Sequence, residues 1–109
     1  MYSLISVSKA LADETRLRII SVLFLREFCV CELQEIFGMS EPRISRHLRI
    51  LKGAGLVIQK RESRWNYYRL RVTDKNKTLL NYLDENFRKN DVFLKDREKA
   101  KNTSLSCSI

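Results

Sequence analysis

The feature that most constrains this chain is a short amphipathic segment, a glycine turn and a second segment with a cationic outer side. In residues 40–51, SEPRISRHLRIL, the apolar Ile44, Leu48 and Leu51 recur at helical spacing and form one stripe. Arg43, Arg46 and Arg49 wrap the opposite side, with Ser45 and His47 beside them. Ser40 is placed to cap this helix, and Pro42 falls in its first turn, where a missing N–H does no harm. Upstream, Gly38-Met39 closes a shorter segment, 32–37, in which Leu33, Ile36 and Phe37 are apolar. This is a helix-turn-helix pattern. Its plain alternative is a charged, solvated face on a helical bundle. The formal net charge of +8 favours a polyanionic partner, and nucleic acid is the first choice.

The rest of the N-terminal half reads as scaffold. A first helix over 3–12 carries Leu4, Val7 and Leu11 on one line, and Asp13 is placed to cap a second helix over 14–26. The apolar set of that second helix is broad, with Leu17, Ile20 and Phe24 on one line and Ile19 and Leu23 on the next. Such width suits the central helix of a small domain, and 109 residues suffice for one such domain. The longest apolar run, 19–25, is too short to span a bilayer, and the N-terminus has no signal-peptide pattern. A cytoplasmic location is the expectation.

Three cysteines, an odd number, argue against a disulfide framework in a reducing compartment. Two of them lie in EFCVCEL, residues 27–33. The pattern suggests a third helix with Cys31 as N-cap and Gln34 at the third helical position, a capping box in which Cys replaces Ser or Thr. A thiol caps poorly, whereas the positive end of a helix dipole stabilises a thiolate. Residues two apart on a helix point about 200° away from each other, whereas on an extended segment they share a side. Cys29 and Cys31 can therefore grip one ion only where the start of this helix is, or becomes, non-helical. A soft thiophilic ion bound there would report directly to the helix-turn-helix. The alternative is a pair of small buried apolar residues flanking Val30.

After Leu51, Lys52-Gly53-Ala54-Gly55 reads as a helix stop, and strands are predicted over 56–61 and 65–72 around the charged tip Arg61-Glu62-Ser63-Arg64. A helix-turn-helix followed by such a hairpin is a winged helix, with Arg61 and Arg64 placed to meet the DNA backbone or minor groove. A fifth helix is predicted from Asp74 through about residue 89, with more apolar surface than one small core can use. That surplus points to a dimer interface shared with the first helix. The expected fold is mainly α with a small β-hairpin wing, homodimeric. A DNA-binding and dimerisation domain over 1–89 precedes a charged tail over 90–109 that carries Cys107 and is expected to prolong the fifth helix before becoming disordered. No Gly-rich phosphate loop or catalytic constellation is present, so the chain does not read as an enzyme. A dithiol oxidoreductase lacks its βαβ pattern, and a winged-helix module for protein partners is a further alternative.

EFCVCEL, MSEPRISRHLRILKGAGLV and RESRWNYYRL together resemble the ArsR (ArsR/SmtB) family of metal- and metalloid-responsive repressors, over roughly residues 9–85. The resemblance implies a homodimer that binds a palindromic operator and releases it when an ion binds. It also implies that C-V-C on the third helix is the ligand motif, for arsenite and antimonite or, in another branch, for cadmium and lead. Gln34 stands where arsenical sensors often carry a third Cys, residues 1–10 hold none of the cysteines of the cadmium and lead branch, and Asp84 and Glu85 have no His to complete a zinc site. Ser63 replaces a wing-tip glycine. The resulting expectation is As(III) or Sb(III) as inducer, bound by Cys29, Cys31 and, as a third thiolate, Cys107; a dispensable tail cysteine is the alternative for Cys107. DNA contacts are expected from Ser40, Glu41, Arg43, Ser45, Arg46, His47, Arg49, Arg61 and Arg64, with no cofactor needed for DNA binding. A thiol-based redox-sensing or cadmium/lead-sensing repressor of the same fold is the alternative function.

Overall fold

The computed structural model describes residues 3–103. Six helices and a small sheet follow in the order α1 (Leu4–Leu11), α2 (Glu14–Leu23), β1 (Phe28–Cys29), α3 (Val30–Phe37), α4 (Glu41–Gly53), β2 (Val57–Glu62), β3 (Trp65–Leu70), α5 (Lys77–Phe87) and α6 (Asp91–Asn102). The sheet is antiparallel, in the order β1-β3-β2. This is a winged helix-turn-helix, with α3 and α4 as the two helices and β2–β3 as the wing.

The broad apolar face of α2 decides the packing. Ile19, Ile20, Val22 and Leu23 are buried, and α2 contacts α1, α4, α6 and β3. Ile44, Leu48 and Leu51 of α4 join the same core, together with Leu33 and Ile36 of α3. Gly38 takes a left-handed φ of 64°, which ends α3 and turns the chain toward α4 at a conformation that costs glycine least. Ser40 sits in extended backbone at the N-cap of α4, and Pro42 lies in the first turn.

Several features differ from the sequence pattern. First, α3 starts at Val30 with Cys29, not Cys31, as its N-cap. Glu32, rather than Gln34, is the third helical residue, and its carboxylate Oε1 accepts the Cys29 backbone N–H at 2.9 Å. A buried carboxylate is the stronger acceptor for that orphan donor, so it fixes the register. Second, Phe28 and Cys29 form a third strand, opposite Tyr68 and Tyr67 of β3.

Third, the chain from Asn90, expected as a charged tail, holds α6. Asn90 Oδ1 accepts from Val92 N at 2.9 Å and caps the helix. Asp96 is buried and takes a forked contact from Arg18 on α2, Nε to Oδ2 at 2.8 Å and Nη2 to Oδ1 at 2.9 Å. Arg97 donates to the Ser21 carbonyl at 2.9 Å and to Asp84 of α5 at 2.7 Å. Phe93 packs on Phe87, with ring centroids 4.6 Å apart. The fifth helix also begins later than Asp74: Thr73 and Asn76 exchange side-chain-to-backbone hydrogen bonds, and α5 starts at Lys77. No described helix is long and apolar enough to cross a membrane.

Candidate nucleic-acid interface and cysteine pair

Burying Ile44, Leu48 and Leu51 leaves the other side of α4 in solvent. Ser40, Glu41, Arg43, Arg46 and Arg49 are exposed and Ser45 is half-buried. Glu41, Pro42, Arg43, Ser45, Arg46 and Arg49 line one shallow open concavity. Within it Ser45 Oγ donates to Glu41 Oε2, so the acidic side chain is tethered along the helix. Three guanidinium groups on one exposed helix face make a fork-shaped donor array suited to phosphates and guanine edges.

His47 does not belong to that face. It is 6% exposed, and its Nδ1 lies 3.3 Å from Arg16 Nη1. Position 47 is three residues after Ile44 and four before Leu51, which places it on the buried stripe. Burial pushes its pKa down, the neighbouring Asp13 pulls it up, and Arg16, Arg46 and Arg43 lower it further. It is therefore the neutral imidazole that accepts from Arg16. Arg16 goes on to the Ala10 and Lys9 carbonyls, at 2.7 and 3.1 Å, and so fastens α1, α2 and α4 at one point.

The wing presents Arg61 and Arg64 as expected from the pattern, both exposed. The β2–β3 register runs out to Glu62 opposite Trp65, leaving Ser63 and Arg64 as the turn. Ser63 carries the positive φ, 58°, that glycine takes most readily. Arg61 Nε donates to the Ser63 carbonyl at 3.3 Å, and the Arg64 guanidinium lies 5.4 Å from the Trp65 ring centroid.

Cys29 is buried at the end of β1 in extended backbone, and Cys31 is half-buried in the first turn of α3. The structure thus brings the two cysteines to one helix start, one residue outside the helical register and one inside it. Cys107 lies outside the described residues. Among the described residues, no group of three His, Cys, Asp or Glu side chains is placed to hold a metal ion. Two residues that the sequence pattern left unassigned surround the pair. Glu32 is fully buried, and Arg26 Nη2 donates to its Oε2 at 3.0 Å. The C-x-x-E spacing from Cys29 to Glu32 carries the signal, because it is the spacing of a capping box.

Outside these two sites, Leu4 and Ile5 on α1 are 81% and 68% exposed, and Tyr82 on α5 is 63% exposed. Those values are high for large apolar side chains, and both helices present them to solvent.

Comparison with known proteins fits this geometry. Residues 13–59 match the family described as "Bacterial regulatory protein, arsR family". The arsenical resistance operon repressor of Escherichia coli (strain K12) is 46% identical over 67 residues, which are 61% of this chain and 57% of that protein. The arsenical resistance operon repressor of Bacillus subtilis (strain 168) is 42% identical over 82 residues, 74% of this chain and 78% of that one. Among solved structures, the homodimeric winged helix-turn-helix DNA-binding domain Mb0332 of Mycobacterium bovis superposes with a TM-score of 0.69. It is 30% identical, and the match covers 81% of each chain. The chain spans about half the length of several curated relatives that it matches. With helix-turn-helix, wing and cysteine pair in place and the identity extending over most of a relative, the chain belongs to the arsR family of bacterial regulatory proteins.

Proposed function

We propose that this protein is a transcriptional repressor that holds operator DNA as a homodimer and releases it when trivalent arsenic or antimony binds Cys29 and Cys31. The observation that carries the reading is the placement of both thiols at the start of α3, the helix that packs directly on the cationic α4. In this reading an ion that draws that helix start out of its closed form moves the support of the DNA-facing helix. Arg43, Arg46 and Arg49 then serve major-groove and phosphate contacts, with Ser40, Glu41 and Ser45 beside them, and Arg61 and Arg64 serve the backbone or minor groove. The exposed Leu4, Ile5 and Tyr82 favour a second copy as the cover for α1 and α5, in keeping with the homodimeric Mycobacterium relative.

Trivalent arsenic is soft and suits thiolate ligands. Two are at the start of α3, and Cys107 is the candidate third. The end of α6 supports that assignment: the Thr103 carbonyl accepts from Arg26 Nη2 at 3.3 Å, the same nitrogen that holds Glu32 beside Cys29. Cys107 follows Thr103 by only a few residues, a reach of about 13 Å when extended.

Fluorescence anisotropy on a DNA fragment from the promoter of its own gene tests the reading. Arsenite is expected to abolish the complex, while cadmium and hydrogen peroxide at matched concentrations leave it intact. Release by peroxide alone favours the redox-sensor alternative, and release by cadmium alone favours the cadmium and lead branch.

A further inference from the structure

Glu32 is a carboxylate with no exposure to solvent, at the positive end of a helix. Oε1 accepts from the Cys29 backbone N–H at 2.9 Å and Oε2 from Arg26 Nη2 at 3.0 Å. Arg26 is held in turn by the Glu27 carbonyl at 2.9 Å, the Thr103 carbonyl at 3.3 Å and the Phe28 ring, whose centroid is 3.8 Å from its guanidinium carbon. A buried charge is tolerated only while such partners stay in place. A fold that needed no more than a capped helix would be served by Ser, Thr or Asp at the cap itself. Here the cap is a thiol in a capping box, and the Glu32 carboxylate of that box is fully buried.

We propose that Glu32 is a positioning residue, a latch that holds the first turn of α3 closed and so sets how much thiophilic ion is needed to release DNA. This rests on the reading of Cys29 and Cys31 as the ion's ligands. In the closed turn Cys29 is the extended N-cap and Cys31 is the second helical residue. In this proposal chelation by both thiols draws Cys31 out of the helix into the same extended backbone, where residues two apart share a side. Opening breaks the Glu32–Cys29 hydrogen bond. The apparent ion affinity is the affinity of the open form reduced by the fraction of protein that is open. A strong latch therefore makes the protein deaf to traces of ion, and a weak one makes it respond early. Because Arg26 joins the latch to Thr103, the same opening loosens the end of α6.

The test is an arsenite titration of the protein–operator complex, read by anisotropy. Glu32→Gln keeps the shape and removes the charge, and the Arg26→Gln/Glu32→Gln pair avoids leaving Arg26 without its partner. Both are expected to release DNA at roughly three- to tenfold lower arsenite than the parent, the range that loss of a cap produces. DNA affinity without arsenite stays at the parent value. Ile36→Val, which loosens the core of α3 without touching the latch, is the control and keeps the parent midpoint. An unchanged or higher midpoint in both latch variants overturns the proposal, as does an equal drop in the control. A parent that ignores arsenite overturns the reading of the thiols, and the latch with it. Amide exchange on the unmodified protein gives an independent measurement: the Cys29 N–H loses its protection when arsenite binds, and protection that persists contradicts the latch.

Discussion

Arg16 and His47 meet across 31 positions of sequence, Nη1 to Nδ1 at 3.3 Å, and join the start of α2 to the middle of α4. The contact needs the imidazole neutral, with its Nδ1 lone pair facing the guanidinium. Protonation removes the acceptor and sets a cation against Arg16. Burial, the largest cause, already holds the His47 pKa below its ordinary value. An unfolded histidine titrates near pH 6.5, so between that value and the lower folded pKa the unfolded chain binds more protons. Stability contributed by neutral His47 is complete above about pH 6.5 and is lost as pH falls through the folded pKa. Urea midpoints measured from about pH 7.5 to pH 5 are expected to show this loss in the parent. His47→Gln, whose amide oxygen still accepts from Arg16, is expected to lack the part of the loss that falls in that window.

Arg43 is exposed in the N-terminal half of α4, and in the proposed reading it contacts a base edge. A good bidentate base contact is worth about 1–3 kcal/mol of discrimination. Arg43→Ala is therefore expected to lower affinity for operator more than affinity for random DNA. Equal losses on both would assign Arg43 to the phosphates instead.

The wing arginines are expected to act on all sequences alike. Each phosphate that a side chain no longer neutralises reduces the slope of log affinity against log salt by about 0.9. Removing both Arg61 and Arg64 should weaken operator and random DNA together and flatten that slope. A slope equal to the parent's would take the wing off the DNA.

Asp96 tests the docking of α6. Charge-assisted hydrogen bonds contribute about 1.5–3 kcal/mol, and Arg18 keeps 28% of its side-chain surface in water, which screens part of this. Asp96→Ala is expected to cost about 2 kcal/mol in urea unfolding and to expose the amides of 91–102 to exchange. A loss within experimental error would mean that Phe93 and Ala100 hold the helix alone.

The parts of the fold that are legible in the sequence are those held by local periodicity. Ile44, Leu48 and Leu51 announce α4, Gly38 announces the turn before it, and the branched and aromatic run of β3 announces the wing. Polarity misplaces His47 on the exposed face, although its spacing from Ile44 and Leu51 puts it on the buried stripe. The start of α3 is misplaced by two residues because a capping box with Cys at its head can be aligned on either cysteine, with Glu32 or Gln34 as its third helical residue. Which alignment holds is decided by Arg26 and by the pairing of Phe28 and Cys29 with β3, both tertiary. A two-residue strand leaves no periodicity to find. In α6 the inward side is built around Phe93, Asp96 and Ala100, and Asp96 is acceptable there because Arg18, 78 positions away, meets it.

The central claim is that the cysteine pair at the start of α3 senses the ion and is dispensable for DNA binding. Serine is a preferred N-cap, so Cys29→Ser keeps the helix start while removing the soft donor. The deciding measurement is an arsenite titration of the operator complex for the parent, Cys29→Ser and Cys31→Ser. Both variants are expected to bind operator with the parent's affinity and to remain bound at arsenite concentrations that strip the parent. Release of Cys29→Ser at the parent's midpoint would contradict the account.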